Sequence, residues 1–376
     1  MYSKNKLFKF NRLALWSLAL ITAMGFNACS EDDNDHENDV NLDISGAYII
    51  NYGSYGNGGA SITRYDYNKD SLTNNYFESQ NSALQLNSNI QYANIYNDTI
   101  YLMGNTSDEI ITLNQEFIPM KDAVSEDIEK PRFFVGNQDK LYISCWGADA
   151  DFSEMADSYI AVYNTTTGTV ENKITLAGGP EGLAIANGKL YAALNYSPKV
   201  AVIDLATHEL SYIDMPAVSS YFIKDANDNL YVSLVSTYSD YSDKAGLGYI
   251  NTNTDELVEN FILEGVSSTY ASIMAASNNT ETIYLTAASW VEESTDNWVQ
   301  KGAIYAFDTQ SKVFSEFISN LTGANGVSVN PVNNDVYVLM SASSTEAGSV
   351  SIYNANGEHQ KDLTVGISPY WTLFFN

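Results

Sequence analysis

One short pattern recurs along this chain, an apolar run in which an aliphatic residue stands beside a tyrosine. It centres on Tyr48, Tyr101, Tyr142, Tyr191, Tyr231, Tyr284 and Tyr337, at separations of 53, 41, 49, 40, 53 and 53 residues. Around each tyrosine the order is the same. An apolar strand leads through a turn with Asn, Asp or Gly into the tyrosine strand. A variable loop follows, then a third apolar strand often ending in Asn or Asp, then a fourth strand. The clearest copy runs Pro180-Glu181-Gly182-Leu183-Ala184-Ile185-Ala186, Asn187-Gly188, Lys189-Leu190-Tyr191-Ala192-Ala193-Leu194, with Val200-Ala201-Val202-Ile203-Asp204 as its third strand. Asn-Gly between two apolar runs is a hairpin signal because both residues tolerate positive φ.

Repeats of this length with four strands each predict a β-propeller, whose loops can vary in length on a fixed blade. The first repeat opens at Ala47-Tyr48-Ile49-Ile50 without a first strand of its own, while the C-terminus carries an unmatched strand, Ser368-Pro369-Tyr370-Trp371-Thr372-Leu373-Phe374-Phe375. Pairing the two closes a ring and removes exposed sheet edges. The expectation is an all-β, seven-bladed propeller over residues 47–376. The 27 tyrosines suit half-buried sheet surfaces, each ring being apolar with a polar tip.

Residues 1–28 read as a signal peptide, with Lys4, Lys6, Lys9 and Arg12 before an apolar run, Leu13–Ile21, too short to span a bilayer. The ending Phe26-Asn27-Ala28-Cys29 resembles the lipobox of bacterial lipoproteins, with Phe26 where Leu is common. That resemblance implies acylation of Cys29, and several acyl chains anchor durably. Residues 29–46 open with Ser30 and a dense run of acids, which predicts a disordered, solvated tether. This run is similar to the Ser-plus-acidic export signal of Bacteroidota lipoproteins, which implies an outer-membrane protein facing the cell exterior.

Formal net charge is −28, and −32 without residues 1–28. So acidic a chain repels nucleic acid, whose binding rests on Lys and Arg neutralising phosphates. Beyond residue 28 the only arginines are Arg64 and Arg132, which argues against a site that clamps phosphates or polycarboxylates. With Cys29 acylated, Cys145 has no disulfide partner and is expected to be a buried small hydrophobe.

In a propeller the connections between strands 2 and 3, and from strand 4 to the next strand 1, share one face, where function usually sits. The 2→3 loops carry Tyr55, Trp146, Tyr196, Tyr238, Tyr241, Trp290 and Trp298, and the first-strand entries add Tyr92, Phe133, Tyr221, Tyr270, Tyr370 and Trp371. Tyr55, Trp146, Tyr196, Tyr238, Tyr241, Trp290, Trp298 and Trp371 are the candidate ligand-binding residues, offering flat surfaces that shed water. The first-strand aromatics also suit the simpler role of filling the inner ends of the blades. Acids accompany them at Asp149, Asp151, Glu154, Asp157, Asp240, Asp243, Glu292, Glu293 and Asp296, without the spacing of a calcium loop. No metal, cofactor or catalytic residue is expected. The three histidines, His36, His208 and His359, fall outside the candidate face, and no nucleophile elbow, phosphate loop or zinc-helix motif occurs. Glu181, at a channel entry, reads as a cap for neighbouring backbone N–H groups before it reads as an acid or base.

Gly179-Pro180-Glu181-Gly182-Leu183-Ala184, Gly188-Lys189-Leu190-Tyr191 and Val200–Asp204 resemble the YncE-like seven-bladed propellers. With the lipobox and tether, the whole mature chain is similar to Bacteroidota surface-lipoprotein propellers, a group that includes BtuG-type proteins. The resemblance implies capture of a small ligand, a corrinoid such as cobalamin, and its transfer to a TonB-dependent outer-membrane transporter, with no chemistry done on it. Glycan binding on the same aromatics is a second reading, a protein-interaction module without small-molecule ligand a third, and a propeller lactonase or lyase a fourth.

Overall fold

The structure, a computed structural model, describes residues 44–237, 244–266, 273–295, 297–341 and 343–375; within the strands that span 288–293 and 297–300 only the backbone is described. Residues 1–43, where the signal segment, Cys29 and nearly all of the tether are expected, lie outside the described residues.

The strands form seven antiparallel sheets that succeed one another along the chain. Blade 1 is ordered Pro369–Phe375, Gly46–Asn51, Ser61–Asp66, Ser71–Thr73, so the C-terminal strand supplies the innermost position of the first blade. Its register pairs Tyr48 with Leu373 and Ile50 with Trp371. The ring therefore closes as the unmatched strand predicts.

All seven repeat tyrosines stand on the second strand of their sheet, and all seven are buried. The packing explains the recurrence. Among the described residues seven apolar clusters lie one at each seam between neighbouring blades, and each of these contains one repeat tyrosine. Each ring fills its seam, and in three of them the hydroxyl also reaches a polar group: Tyr48 donates to Ile44 O at 2.9 Å, Tyr191 to Thr252 O at 3.2 Å and Tyr337 to the Tyr67 hydroxyl at 3.4 Å. Phenylalanine would fill the same space and leave those acceptors without that donor.

The Asn or Asp ending each third strand has an equally local cause. Asp66, Asn114, Asn164, Asp204, Asn251, Asp308 and Asn354 each accept a backbone N–H from two residues on, and all but Asn251 accept a second. These Asx turns reverse the chain after the third strand, into the fourth strand in every blade but blade 2.

Two departures from the expected pattern stand out. Blade 2 is a three-stranded sheet, Ile90–Tyr96, Thr99–Gly104 and Glu109–Leu113, not four-stranded; beyond it lie only isolated bridges, Ile110 to Val124 and Leu113 to Pro119. Pro119 cannot donate to a ladder. The tight turn before it holds Phe117 at φ 63° and drives its ring, 0% exposed, onto Tyr48 at 4.6 Å. In blade 6, residues 289–302, expected as a loop, extend a hairpin: Thr282–Ser294 pairs with Asn297–Asp308 down to Ser294 opposite Asn297. Relative to its six-residue counterparts the second strand gains seven residues, roughly 20 Å of added strand.

Where the first strands of blades 4 and 5 meet, space is limiting. A Cβ on Gly182 would lie 2.3 Å from the carbonyl oxygen of Ser220. Gly182→Ala is expected to lower stability by about 1–3 kcal/mol, because a backbone atom must move; a chemical denaturation midpoint equal to that of the unmodified chain would show that the strands can part without cost.

Candidate functional site

The inner strands share a device that arranges the channel. In blades 2, 3, 4, 5 and 7 the pairing register of the first strand slips near its entry, at Ile90/Tyr92, Pro131/Phe133, Pro180/Leu183, Ser219/Phe222 and Ala324/Gly326. In blade 1 the slip skips Tyr370. A bulge leaves a residue out of the ladder and re-aims its side chain. The residues so released include Gln91, Arg132, Glu181, Tyr221, Asn325 and Tyr370.

Most of them bond to one another. Arg132 grips Glu181 with two bonds, Nε to Oε2 at 2.8 Å and Nη2 to Oε1 at 3.0 Å, and its Nη1 donates to Gln91 Oε1 at 2.8 Å. Gln91 Nε2 donates to the Tyr370 hydroxyl at 3.3 Å, which lies 2.7 Å from that of Tyr221. Glu181 is 0% exposed. Burial alone would favour neutral Arg132, but the facing carboxylate outweighs it and raises the guanidinium pKa further. Trp146 roofs the pair, its ring centroid 3.8 Å from the guanidinium carbon, a close cation–π contact. Glu181 is thus ion-paired, rather than the backbone cap expected of it. A carboxylate held by a permanent cation in two places is a poor general base.

One residue further along three of these strands, Tyr92, Phe133 and Trp371 join Tyr221 in filling the channel. Tyr92 stacks on Phe133 with centroids 3.9 Å apart, and Trp371 meets Tyr92 edge-on at 5.0 Å and lies parallel to Tyr221 at 6.5 Å. Phe133 closes on Tyr221 at 5.8 Å. Trp371 is therefore half-buried among Tyr92 and Tyr221, in the filling role. Tyr370 is buried too, and Tyr270 lies outside the described residues.

The loop aromatics separate into distinct places. Tyr55 is 74% exposed at the tip of the turn after the second strand of blade 1. Trp146 and Tyr196 are buried, edge-to-face at 5.5 Å with Met155 between the loops. Phe152, half exposed, covers Trp146 at 6.3 Å. Asp151 shapes this loop by accepting N–H from Ser153 and Met155, which holds its carboxyl below the usual range. Trp290 and Trp298 occupy the blade 6 hairpin, paired in backbone register with Gln300 and Glu292, and their side chains lie outside the described residues. So do Tyr238 and Tyr241 entirely. Trp146 and Tyr196 come together; neither Tyr55 nor Trp371 belongs to their cluster. Cys145 is buried, with burial pushing its thiol up to about 12, so it stays protonated.

Sequence reasoning passed over Gln91, Arg132 and Tyr370 as a set. A signal was present: Pro131-Arg132, Pro180-Glu181 and Pro369-Tyr370 repeat a proline followed by a residue that the bulge turns inward.

A ring of seven sheets, closed by its own C-terminal strand and filled along its axis, defines a seven-bladed β-propeller. Residues 45–374 match the family described as a domain of unknown function, DUF5074, and the chain belongs to that family. No curated protein sequence matches it. Among solved structures it is similar to a quinonprotein alcohol dehydrogenase-like protein of Bacteroides thetaiotaomicron, at 17% identity and TM-score 0.62 over 88% of this chain and 78% of that one. It is also similar to a protein of Bacteroides fragilis named "putative 6-phosphogluconolactonase", at 12% identity and TM-score 0.64 over 89% and 99%. Kuenenia stuttgartiensis hydrazine synthase matches at 13% identity and TM-score 0.59 over 70% and 76%. Such identities show the shared fold.

Proposed function

We propose that this propeller is a lipid-anchored protein of the outer cell surface that captures a corrinoid on the 2→3 loop face and delivers it to a TonB-dependent outer-membrane transporter, without acting on it chemically. The observation that carries the reading is the extended blade 6 hairpin, which sets Trp290 and Trp298 two pairs apart along one ladder. Tyr55 and Phe152 add exposed aromatic surface on the same face. Both arginines are engaged within the fold, Arg64 with Asp66 and Arg132 with Glu181, so the ligand is a flat, uncharged or weakly charged body, not a polyanion.

Calorimetric titration with cyanocobalamin, against a panel of oligosaccharides, tests this. One corrinoid site is expected, and Trp290→Ala/Trp298→Ala should weaken it by about 1–3 kcal/mol, two aromatic contacts at about 0.5–1.5 kcal/mol each. Absence of heat with any corrinoid at micromolar concentration rejects the ligand; full affinity in the double variant moves the site elsewhere. For the anchor, Cys29→Ala is expected to shift the protein from the membrane to the soluble fraction and to abolish fatty-acid labelling. Labelling that persists would sink the lipidation proposal.

A further inference from the structure

On the face opposite those loops, the seam between blades 7 and 1 holds a cleft of about 470 Å3, within the range of small-ligand sites. One acidic residue sets this seam apart from that between blades 4 and 5. At the seam between blades 4 and 5, Tyr191 and Lys189 both bind Asp255, which lies in the 3→4 turn of blade 5. The corresponding residues at the last seam are Tyr337, Asp335 two residues before it, as Lys189 stands before Tyr191, and Asp70 four residues after Asp66, as Asp255 stands after Asn251. An acid therefore stands where blade 4 has a lysine. Asp335 and Asp70 cannot pair, and Asp70 turns instead to Tyr65 (2.6 Å) and Lys361.

The space left open is lined by complementary chemistry. Tyr65, on the third strand of blade 1, and Tyr67, in the turn just after it, present rings edge-to-face at 5.7 Å. Asn330 Nδ2 donates to the Tyr67 hydroxyl at 3.1 Å, the Tyr337 hydroxyl lies 3.4 Å from it, and Lys361 Nζ donates to the Tyr65 hydroxyl at 3.2 Å. Asn333 Nδ2 holds Asp335 Oδ2 at 2.7 Å; among the described residues no donor meets Oδ1. Tyrosine walls, a carboxylate acceptor and amide donors match the C–H faces and vicinal hydroxyls of a sugar ring. Two carboxylates against one lysine disfavour an anionic one.

The geometry points to a neutral-saccharide site in this cleft, bridging the last blade to the first. It stands independently of the corrinoid reading, because no residue is shared. Occupancy stabilises the ring at its closure, since a ligand that binds the native state alone raises unfolding temperature.

The test uses the intact chain with cellobiose, maltose and N,N′-diacetylchitobiose, and digalacturonate as the anionic control, read by saturation-transfer NMR and thermal shift at millimolar sugar. At least one neutral disaccharide is expected to bind and digalacturonate not to. Asp335→Lys, which recreates the ion pair of the seam between blades 4 and 5, should abolish that binding while leaving the melting temperature equal or higher. Tyr65→Ala, the second variant, should weaken it roughly fivefold to tenfold, and Trp290→Ala/Trp298→Ala should leave it unchanged. Silence from all three neutral sugars, stronger binding of digalacturonate, or binding that survives both Asp335→Lys and Tyr65→Ala overturns the proposal.

Discussion

Deleting residues 367–376 is expected to abolish cooperative folding. The lost strand buries Tyr370, Thr372, Leu373 and Phe375 and half-buries Trp371. Three or four large side chains at about 1.5–3 kcal/mol each come to roughly 5–12 kcal/mol. That is comparable to the whole stability of an ordinary domain, about 5–15 kcal/mol. The deletion also exposes the inner edge of Gly46–Asn51, a row of unpaired backbone groups. Circular dichroism should show a broad or absent melt, with aggregation. A variant that melts sharply within a few degrees of the full chain would mean that blade 1 holds without its inner strand.

Arg132→Leu is the second large effect. It strands Glu181 in the channel with no cation and leaves Trp146 over an apolar chain, where truncating one partner of a buried pair costs about 3–5 kcal/mol. At roughly 2–4 °C per kcal/mol, the melting temperature should fall by about 6–20 °C. Arg132→Leu/Glu181→Leu should recover most of the loss, because neither charge then remains buried. Calorimetric scans of both variants check this. Equal destabilisation in the single and double variants would mean that packing, not the ion pair, sets the cost. The pair also separates binding from catalysis. Loss of a turnover activity in Glu181→Gln, with stability intact, would revive the lactonase or lyase reading.

The fold was legible because its signals are local. A second-strand tyrosine fills each seam, an Asn or Asp starts each 3→4 turn, and the missing inner strand reappears at the C-terminus, so spacing alone implied the ring. What escaped depends on contacts between blades. Arg132 and Glu181 lie 49 residues apart and meet only once two bulged strands stand side by side. Blade 2 lost its fourth strand to Pro119 and to Phe117, whose burial beneath Tyr48 no local pattern announces. The blade 6 hairpin was hidden by Glu292 and Glu293, acids that resemble a loop yet occupy paired strand. Trp146 and Tyr196 sit on loops as expected, but the loops fold onto each other and bury both rings. Loop membership gave their address and not their exposure.

Amide hydrogen exchange, followed residue by residue in the intact chain, tests the closed ring most directly. The amides of Trp371–Phe375 that pair with Gly46–Ile50 should exchange as slowly as those of the interior strand Lys189–Leu194, and both should be released together by global unfolding. Exchange of the C-terminal strand at the rate of a free terminus, with blade 4 still protected, would contradict closure and the channel built upon it.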